Sequence, residues 1–424
     1  MSQREEGPSG SMAVAEEVRD FYDRYPYPRP VESLDQYRRL WQDRNRRRAE
    51  YHLYWPARPY REDQSILIAG CGTSQAARHA LRWPAAQVTG IDFSATSVRH
   101  TETLKRKYSL DNLQVYQLPI ERVHELEMSF DQIVCTGVLH HLVDPDAGLR
   151  ALREVLAPDG AMQLMVYAPY GRSGIYLFQE LCRRAGIHAT DEGLRDLVAM
   201  LKALPAGHPL QNLVGVAPDW THGAGLADAL LHPQDRAYSV PQLFDFVQSG
   251  GLGFGRWVRQ APYLLHCGAL ATIPLNARMA HLPLVEQYAA VELFRGTMVR
   301  HSAILYRNDT LGDRQPVGFA GEAWLHYVPI RMPDTICVQE RLSSGAAAVL
   351  INSSHTYTDL YLPIDATEKR WFDAIDGQCS IGDLVERMSP SRPGRPLLDR
   401  VQRFFERLWW YDQVVFDASR TESM

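Results

Sequence analysis

The stretch Ile66-Leu67-Ile68-Ala69-Gly70-Cys71-Gly72-Thr73-Ser74-Gln75 carries an apolar run into two glycines and then straight into a helical pattern. Glycine has no Cβ, so the chain can turn sharply there and let a ligand approach the backbone closely. The first turn of the following helix adds unpaired N–H groups at the same point. About twenty residues on, a second apolar run ends in Gly90-Ile91-Asp92-Phe93-Ser94, where a carboxylate can accept the hydroxyls of a ribose. The competing role for Asp92 is to cap the helix that begins near Ser94. A later run, Phe130 to Thr136, opens into Gly137-Val138-Leu139-His140-His141-Leu142 and then Asp144-Pro145. The loop reads Gly-Cys-Gly-Thr and lacks the third, helix-packing glycine of the dinucleotide fingerprint, which turns the reading away from a dehydrogenase.

These residues need a scaffold that brings strand ends together. From Ser65 to about Tyr170, five short apolar segments alternate with amphipathic helical ones. The strand candidates are SILIAG, AQVTGID, LQVYQL, FDQIVCTG and AMQLMVYAP, and the helices are QAARHALRW, SATSVRHTETLKRKYS and PDAGLRALREVLA. Such alternation predicts an α/β fold with a parallel sheet covered on both faces. Near-continuous apolar strands such as ILIAG support burial on both sides. The expected organisation is an arm or lid over 1–60, a core over 61–172, a helical cap that completes the sheet over 173–310, and a separate segment over 320–424. In the cap, SVPQLFDFVQSGGLGF ends on glycines as a helix should.

With 424 residues, 45% hydrophobic and 22% charged, the chain can bury more than one core. It has no run of the roughly 18–20 uncharged apolar residues that a membrane span requires. The six cysteines, Cys71, Cys135, Cys182, Cys267, Cys337 and Cys379, form neither a CxxC nor a cluster with histidine. That predicts no zinc site, no disulfide framework and a reducing, cytoplasmic setting. A net charge of −5 argues against nucleic-acid binding. The local exception is Arg38, Arg39, Arg44, Arg46, Arg47 and Arg48, read as a solvated helix face before an anion-binding patch.

The four ordered motifs between residues 65 and 170, namely the GCGT loop, the acidic second strand, FDQIVCTGVLHHLVDP and LAPDG before a fifth strand, resemble class I S-adenosylmethionine-dependent methyltransferases of the small-molecule-like type. GCGTSQA with GVLHHL is also similar to bacterial methyltransferase domains used on protein lysines or joined to tetratricopeptide repeats. The resemblance implies a Rossmann-like doubly wound sheet, bacterial origin and S-adenosyl-L-methionine as cofactor. It places Gly70, Cys71, Gly72, Thr73 and Gln75 around the methionine moiety, Asp92 on the ribose and Phe93 beside the adenine. Thr136, Gly137 and Val138 would lie near the sulfur. Pro119 stands where the family often has an aspartate for the adenine amine, leaving backbone groups of Leu118 and Ile120 to that task. His141, with His140, would pack beneath the cofactor or bond nearby groups.

Methyl transfer requires a positioned nucleophile, and a base helps when that nucleophile is protonated. Base candidates are His140, Tyr167, Asp235 and His232. The fifth strand ends at the carboxyl edge, where α/β folds place ligands, which makes Tyr167, Tyr170 and Arg172 candidate acceptor contacts. Tyr25 and Tyr27 in the stiff segment FYDRYPYP are expected to fold over the pocket, and His232, Arg236 and Tyr238 to face the acceptor from LHPQDRAY. No [Asn/Asp]-Pro-Pro-[Tyr/Phe] tetrapeptide follows the fourth strand, which disfavours planar amide and adenine nitrogens. The expected acceptor is an N, O or S atom of a small molecule or peptide. The alternatives are a protein lysine, an RNA met by the arginine cluster, and a non-catalytic scaffold. The C-terminal segment resembles small winged-helix-like peptide-binding domains, for which dimerisation into a homodimer or intramolecular packing is expected.

Overall fold

The computed structural model describes residues 8–211, 223–312, 317–388 and 394–420. By internal contacts the chain divides into two units. The first comprises residues 1–38, 62–254 and 292–308, and the second 39–61, 255–291 and 309–424.

A seven-stranded sheet organises the first unit. Its strands are β1 (Ser65–Ala69), β2 (Gln87–Asp92), β3 (Leu113–Gln117), β4 (Phe130–Thr136), β5 (Leu156–Tyr167), β6 (Leu252–Trp257) and β7 (Arg300–Arg307). Their order is β3-β2-β1-β4-β5-β7-β6. The first five run parallel, and β7 runs antiparallel to β5, with Tyr167 opposite Arg300. Chain order reverses between the paired strands β1 and β4, so the connections that leave them run in opposite directions and open a crevice at their carboxyl ends. This is the Rossmann-like arrangement expected.

Local sequence accounts for the elements that flank the crevice. Ile66, Leu67 and Ile68 are fully buried, as a central strand covered on both faces requires. The helix Gln75–Arg82 turns Ala76, Ala77 and Ala80 inward. It packs so closely that a Cβ on Gly90 would lie 2.8 Å from that of Ala76. The helix Pro145–Val155 starts on Asp144, which accepts from Ala147 N, and buries Leu149, Leu152 and Val155. Ser239 and Gln242 close a capping box on the helix Val240–Ser249. Among the described residues no helix is long and apolar enough to cross a membrane.

The second unit is a small α+β assembly. Strands β9 (Thr335–Val338), β10 (Ala348–Asn352) and β11 (Tyr361–Ile364) form an antiparallel sheet in the order β11-β10-β9, and β8 (Val328–Arg331) pairs with β12 (Val414–Asp417). Helices Ala366–Ala374, Ile381–Met388 and Arg395–Trp410 enclose Val401, Phe404, Phe405 and Leu408.

The linear segmentation expected from sequence needs correction at two places. The helix Arg44–Tyr54, expected in the arm, belongs to the second unit, where Arg48 pairs with Asp417 at 3.3 Å. Residues 255–291, expected in the cap, belong there too. Trp257 stacks on Tyr263 at 3.8 Å, and Ala261 N donates to the buried Asp412 carboxylate. Long-range aromatic and ionic pairing, invisible to periodicity, draws both boundaries.

Candidate active site

The β1 turn places Gly70 at φ +70° and Gly72 at φ +53°, in the left-handed region that side chains resist. A Cβ on Gly70 would stand 2.4 Å from Cγ2 of Val138, and one on Gly72 would stand 2.9 Å from Cδ of Pro28. Both glycines are therefore required by conformation and by space. Asp92 sits at the end of β2 with both carboxylate oxygens engaged. Oδ2 accepts from Gly72 N at 2.8 Å and Oδ1 from Ser94 N at 2.9 Å. The capping role weighed for Asp92 is thus present, together with a tie to the glycine turn. Burial pushes its acid up to about 6, against the opposing pull of the Ser94 and Gly72 N–H groups. Thr96 N donates to Asp23 Oδ1, and Ser94 Oγ donates to the same oxygen at 2.6 Å, anchoring the N-terminal helix Pro8–Arg24 beside the turn.

A cavity of about 810 Å³ opens from this turn. Of the residues expected at a cofactor, Gly70, Gly72, Gln75, Asp92, Phe93, Leu118, Pro119, Ile120, Thr136, Gly137, Val138 and His141 line it. Cys71 and Thr73 do not. The Cys71 thiol is fully buried, with burial raising its pKa well above the usual thiol range, and Thr73 Oγ1 donates to Pro28 O at 2.7 Å. Gln75 Nε2 donates to Thr136 Oγ1 at 2.8 Å, linking the glycine turn to the end of β4.

At the other end of the cavity the expected residues are rearranged. Tyr27, Tyr167 and Arg172 line the wall, joined by Tyr22 and Asp228, which sequence reasoning did not single out. Tyr25 instead packs against Phe21 and Ala227 and donates to Ala189 O at 3.0 Å. Tyr170 is exposed, and Tyr238 is buried against Phe246. Neither of these lines the cavity, nor do Arg236 and His232, the latter buried against Phe21, Tyr22 and His141. The arginines of the basic cluster do not line it either: Arg44 lies over Tyr60, Arg46 over Trp41, and Arg47 donates to Trp41 O.

The expected base candidates sort by environment. His140 is fully buried off the wall, and burial lowers its basicity well below the ordinary value. Tyr167 lies on the wall, but burial and the Asp228 carboxylate push its phenol well above its ordinary value, so it serves as a donor. The Arg172 guanidinium sits 3.5 Å above the Tyr167 ring. Asp235 is committed to Arg172 at 2.9 Å and to Gln179 at 3.0 Å. His141, expected beside the cofactor, is the imidazole that reaches the cavity.

His141, Asp228 and His232 form a compact group whose ligand-capable atoms all lie within 4.8 Å of one another. Tyr22 Oη donates to Asp228 Oδ1 at 3.0 Å across 206 residues of sequence. Asp228 is the single charged residue of the helix Gly223–Leu230, GAGLADAL, and an acid in so apolar a helix was the signal that could have found it. Burial raises the Asp228 acid, while His141, Tyr22 and Arg172 oppose the rise.

Residues 67–162 match the family described as Methyltransferase domain. The chain carries a class I S-adenosylmethionine-dependent methyltransferase domain. Over 252 residues the chain is 33% identical to an uncharacterized protein of Synechococcus sp., covering 57% of this chain and 60% of that one. Over 98 residues it is 32% identical to the ubiquinone biosynthesis O-methyltransferase of Albidiferax ferrireducens, covering 23% of this chain and 38% of that one. The chain thus spans less than two thirds of either relative. The structure of PKMT2 from Rickettsia typhi in complex with AdoHcy aligns with a TM-score of 0.62 over 89% of this chain and 75% of that one. At 14% identity, that likeness concerns the fold alone.

Proposed function

We propose that this protein transfers a methyl group from S-adenosyl-L-methionine to a small-molecule acceptor held in the cavity. The observation that carries the reading is one continuous cavity with the strained glycine turn and Asp92 at one end and the Tyr22–Asp228–His141 group at the other. The match of residues 67–162 to methyltransferase domains and the likeness to an O-methyltransferase support it. The buried, aromatic character of the acceptor end, with Tyr22, Tyr27 and Tyr167 on its wall, suits a small molecule.

The residues present fit the cofactor. Gly70 and Gly72 leave the main chain of the turn unshielded by a Cβ for close approach, Asp92 offers remaining lone pairs for ribose hydroxyls, and Phe93, Leu118 and Ile120 line a slot suited to a planar base. When bound, the cofactor supplies a methyl group on a sulfonium, an electrophile that needs no activation by acid. Asp92 would orient the ribose, and the Gln75–Thr136 hydrogen bond ties the helix after the glycine turn to the end of β4. The helix Pro8–Arg24, through Val18 and Tyr22, and the segment carrying Tyr27 and Pro28 shield the reacting centre from water. Arg172, paired with Asp235, supports Tyr167 on the same wall.

Titration calorimetry of S-adenosyl-L-methionine against the wild type and Asp92→Ala tests this reading. The expected result is micromolar binding that the substitution weakens by about 1–3 kcal/mol, the cost of losing charged hydrogen bonds. Absence of binding to folded wild-type protein would refute it.

A further inference from the structure

We infer that Asp228 and His141 form a receptor for a primary amine, each accepting one of its N–H groups, so that the nitrogen lone pair is left for the methyl group. The inference rests on the methyltransferase reading and names the acceptor class for the same cavity.

Both residues line the cavity, and both present acceptors to it. His141 Nδ1 lies 2.7 Å from Gln234 O, and a carbonyl can only accept, so Nδ1 carries the hydrogen and Nε2 a lone pair. The Asp228 side chain is more than nine-tenths buried. Its Oδ1 accepts from Tyr22 Oη at 3.0 Å, and the described residues supply no donor to Oδ2. A buried carboxylate oxygen left unmet is costly, which points to a ligand that meets it. Among the described residues no lysine or arginine forms an ion pair with Asp228. Arg172, a guanidinium on the same wall, is bound to Asp235 at 2.9 Å.

Two acceptors around one point select among acceptor groups. A carboxylate oxygen of Asp228 and a ring nitrogen of His141 lie within 4.8 Å of each other. A tetrahedral nitrogen that donates to two groups, each about 2.9 Å away, spaces them about 4.7 Å apart. An alcohol or phenol has one hydrogen and meets one of the two, and a thiol is a weak donor. An amine has two hydrogens for them and keeps its lone pair. Tyr22, Tyr27 and Tyr167 line the same wall, and phenol rings attract the ammonium form in which an amine arrives. A metal ion fits less well. His232 Nδ1 accepts from Gln234 N at 3.0 Å, so His232 Nε2 bears a hydrogen and cannot ligate.

In the transfer, the arriving ammonium first gives one proton to water. Its nitrogen then forms a bond to the methyl carbon while the carbon–sulfur bond breaks, the electron pair passing to sulfur. The products are an N-methylammonium, S-adenosylhomocysteine and the released proton. The positive charge that develops on nitrogen lies against Asp228, a stabilisation already in place before reaction.

The test is calorimetry on the full chain with saturating S-adenosylhomocysteine. The probes are benzylamine, benzyl alcohol, phenylmethanethiol and benzyltrimethylammonium, the last a cation without an N–H. Wild type is expected to bind benzylamine about tenfold tighter than each of the others, the worth of one hydrogen bond to a charged group. Asp228→Asn, which keeps the size of the side chain, is expected to erase that preference while S-adenosylhomocysteine affinity stays within about twofold. The comparison of probes on wild type stands without the variant. Benzyl alcohol or benzyltrimethylammonium binding as tightly as benzylamine, no binding of benzylamine, or an unchanged preference in Asp228→Asn would each overturn the inference. Failure of S-adenosylhomocysteine to bind would instead strike the methyltransferase reading, and the probe preference would still be measurable without it.

Discussion

The two ends of the cavity treat their polar atoms in opposite ways. At the glycine turn, the Asp92 oxygens are already met by Gly72 N and Ser94 N, so that end is organised before any ligand arrives. At the far end, Asp228 Oδ1 is met by a side chain, Tyr22 Oη, and behind it His232 Nε2 and Asp235 Oδ1, on residues that do not line the cavity, are buried without a hydrogen-bond partner. A main-chain lattice fixes the first end, whereas side chains from three separated segments make the second: Tyr22, His141 and Asp228. The first suits a ligand of constant shape and the second an acceptor met by side chains.

The largest expected break in this comparison is Gly70→Ala. A side chain at φ +70° and 2.4 Å from Val138 demands backbone movement, and left-handed strain alone costs about 1–2 kcal/mol. Loss of detectable S-adenosyl-L-methionine binding is expected by calorimetry, and Gly70→Ala with Val138→Ala should regain part of it. Full binding by the single variant would show that the turn is looser than its geometry indicates.

A smaller effect should come from acidity. Asp92 is raised to about 6 in the fold from an ordinary value of 3.8. The ligand-free protein therefore gains stability from Asp92 at acidic pH and loses it as pH rises through about 6. Ribose hydroxyls need the ionised carboxylate as acceptor, so cofactor affinity runs the other way. It should fall about tenfold from pH 7 to pH 5, one decade per unit below the ionisation. Asp92→Asn should flatten both profiles, and a flat wild-type affinity would remove the ribose role.

The smallest effect is expected at the acceptor end. Tyr22→Phe deletes one hydrogen bond to Asp228, at about 1 kcal/mol. The melting temperature should drop by a few degrees while cofactor affinity stays within about twofold. A large loss of cofactor affinity would show that the two ends are coupled.

The same contrast explains what could be read from the chain. The Gly70–Gly72 turn and Asp92 depend on local backbone and on strand ends set by apolar periodicity, so residue type and spacing reveal them. The β5–β7 antiparallel pairing and the transfer of residues 39–61 and 255–291 to the second unit depend on partners far away in sequence. Asp228 carried a local signal, the lone acid of an apolar helix, but its pairing with Tyr22 depends on two segments 206 positions apart. His140 and His141 look alike as neighbours in sequence. Only the Gln234 carbonyl, 93 positions away from His141, distinguishes the ring that faces the cavity.

The hydrogen bond between Tyr22 and Asp228 also bears on how the chain is made. The 206 positions between them take roughly 10–40 s to synthesise at about 5–20 residues per second. Asp23 can engage Ser94 and Thr96 much sooner, within 71 to 73 positions. The helix carrying both residues is therefore latched early along one side. Phe21 on this helix and Tyr25 just after it stay uncovered until Ala227 has left the ribosome. During that interval a partly built protein displays sticky rings beside an unfinished sheet, so its dependence on chaperones should be greatest when translation pauses between residues 100 and 227.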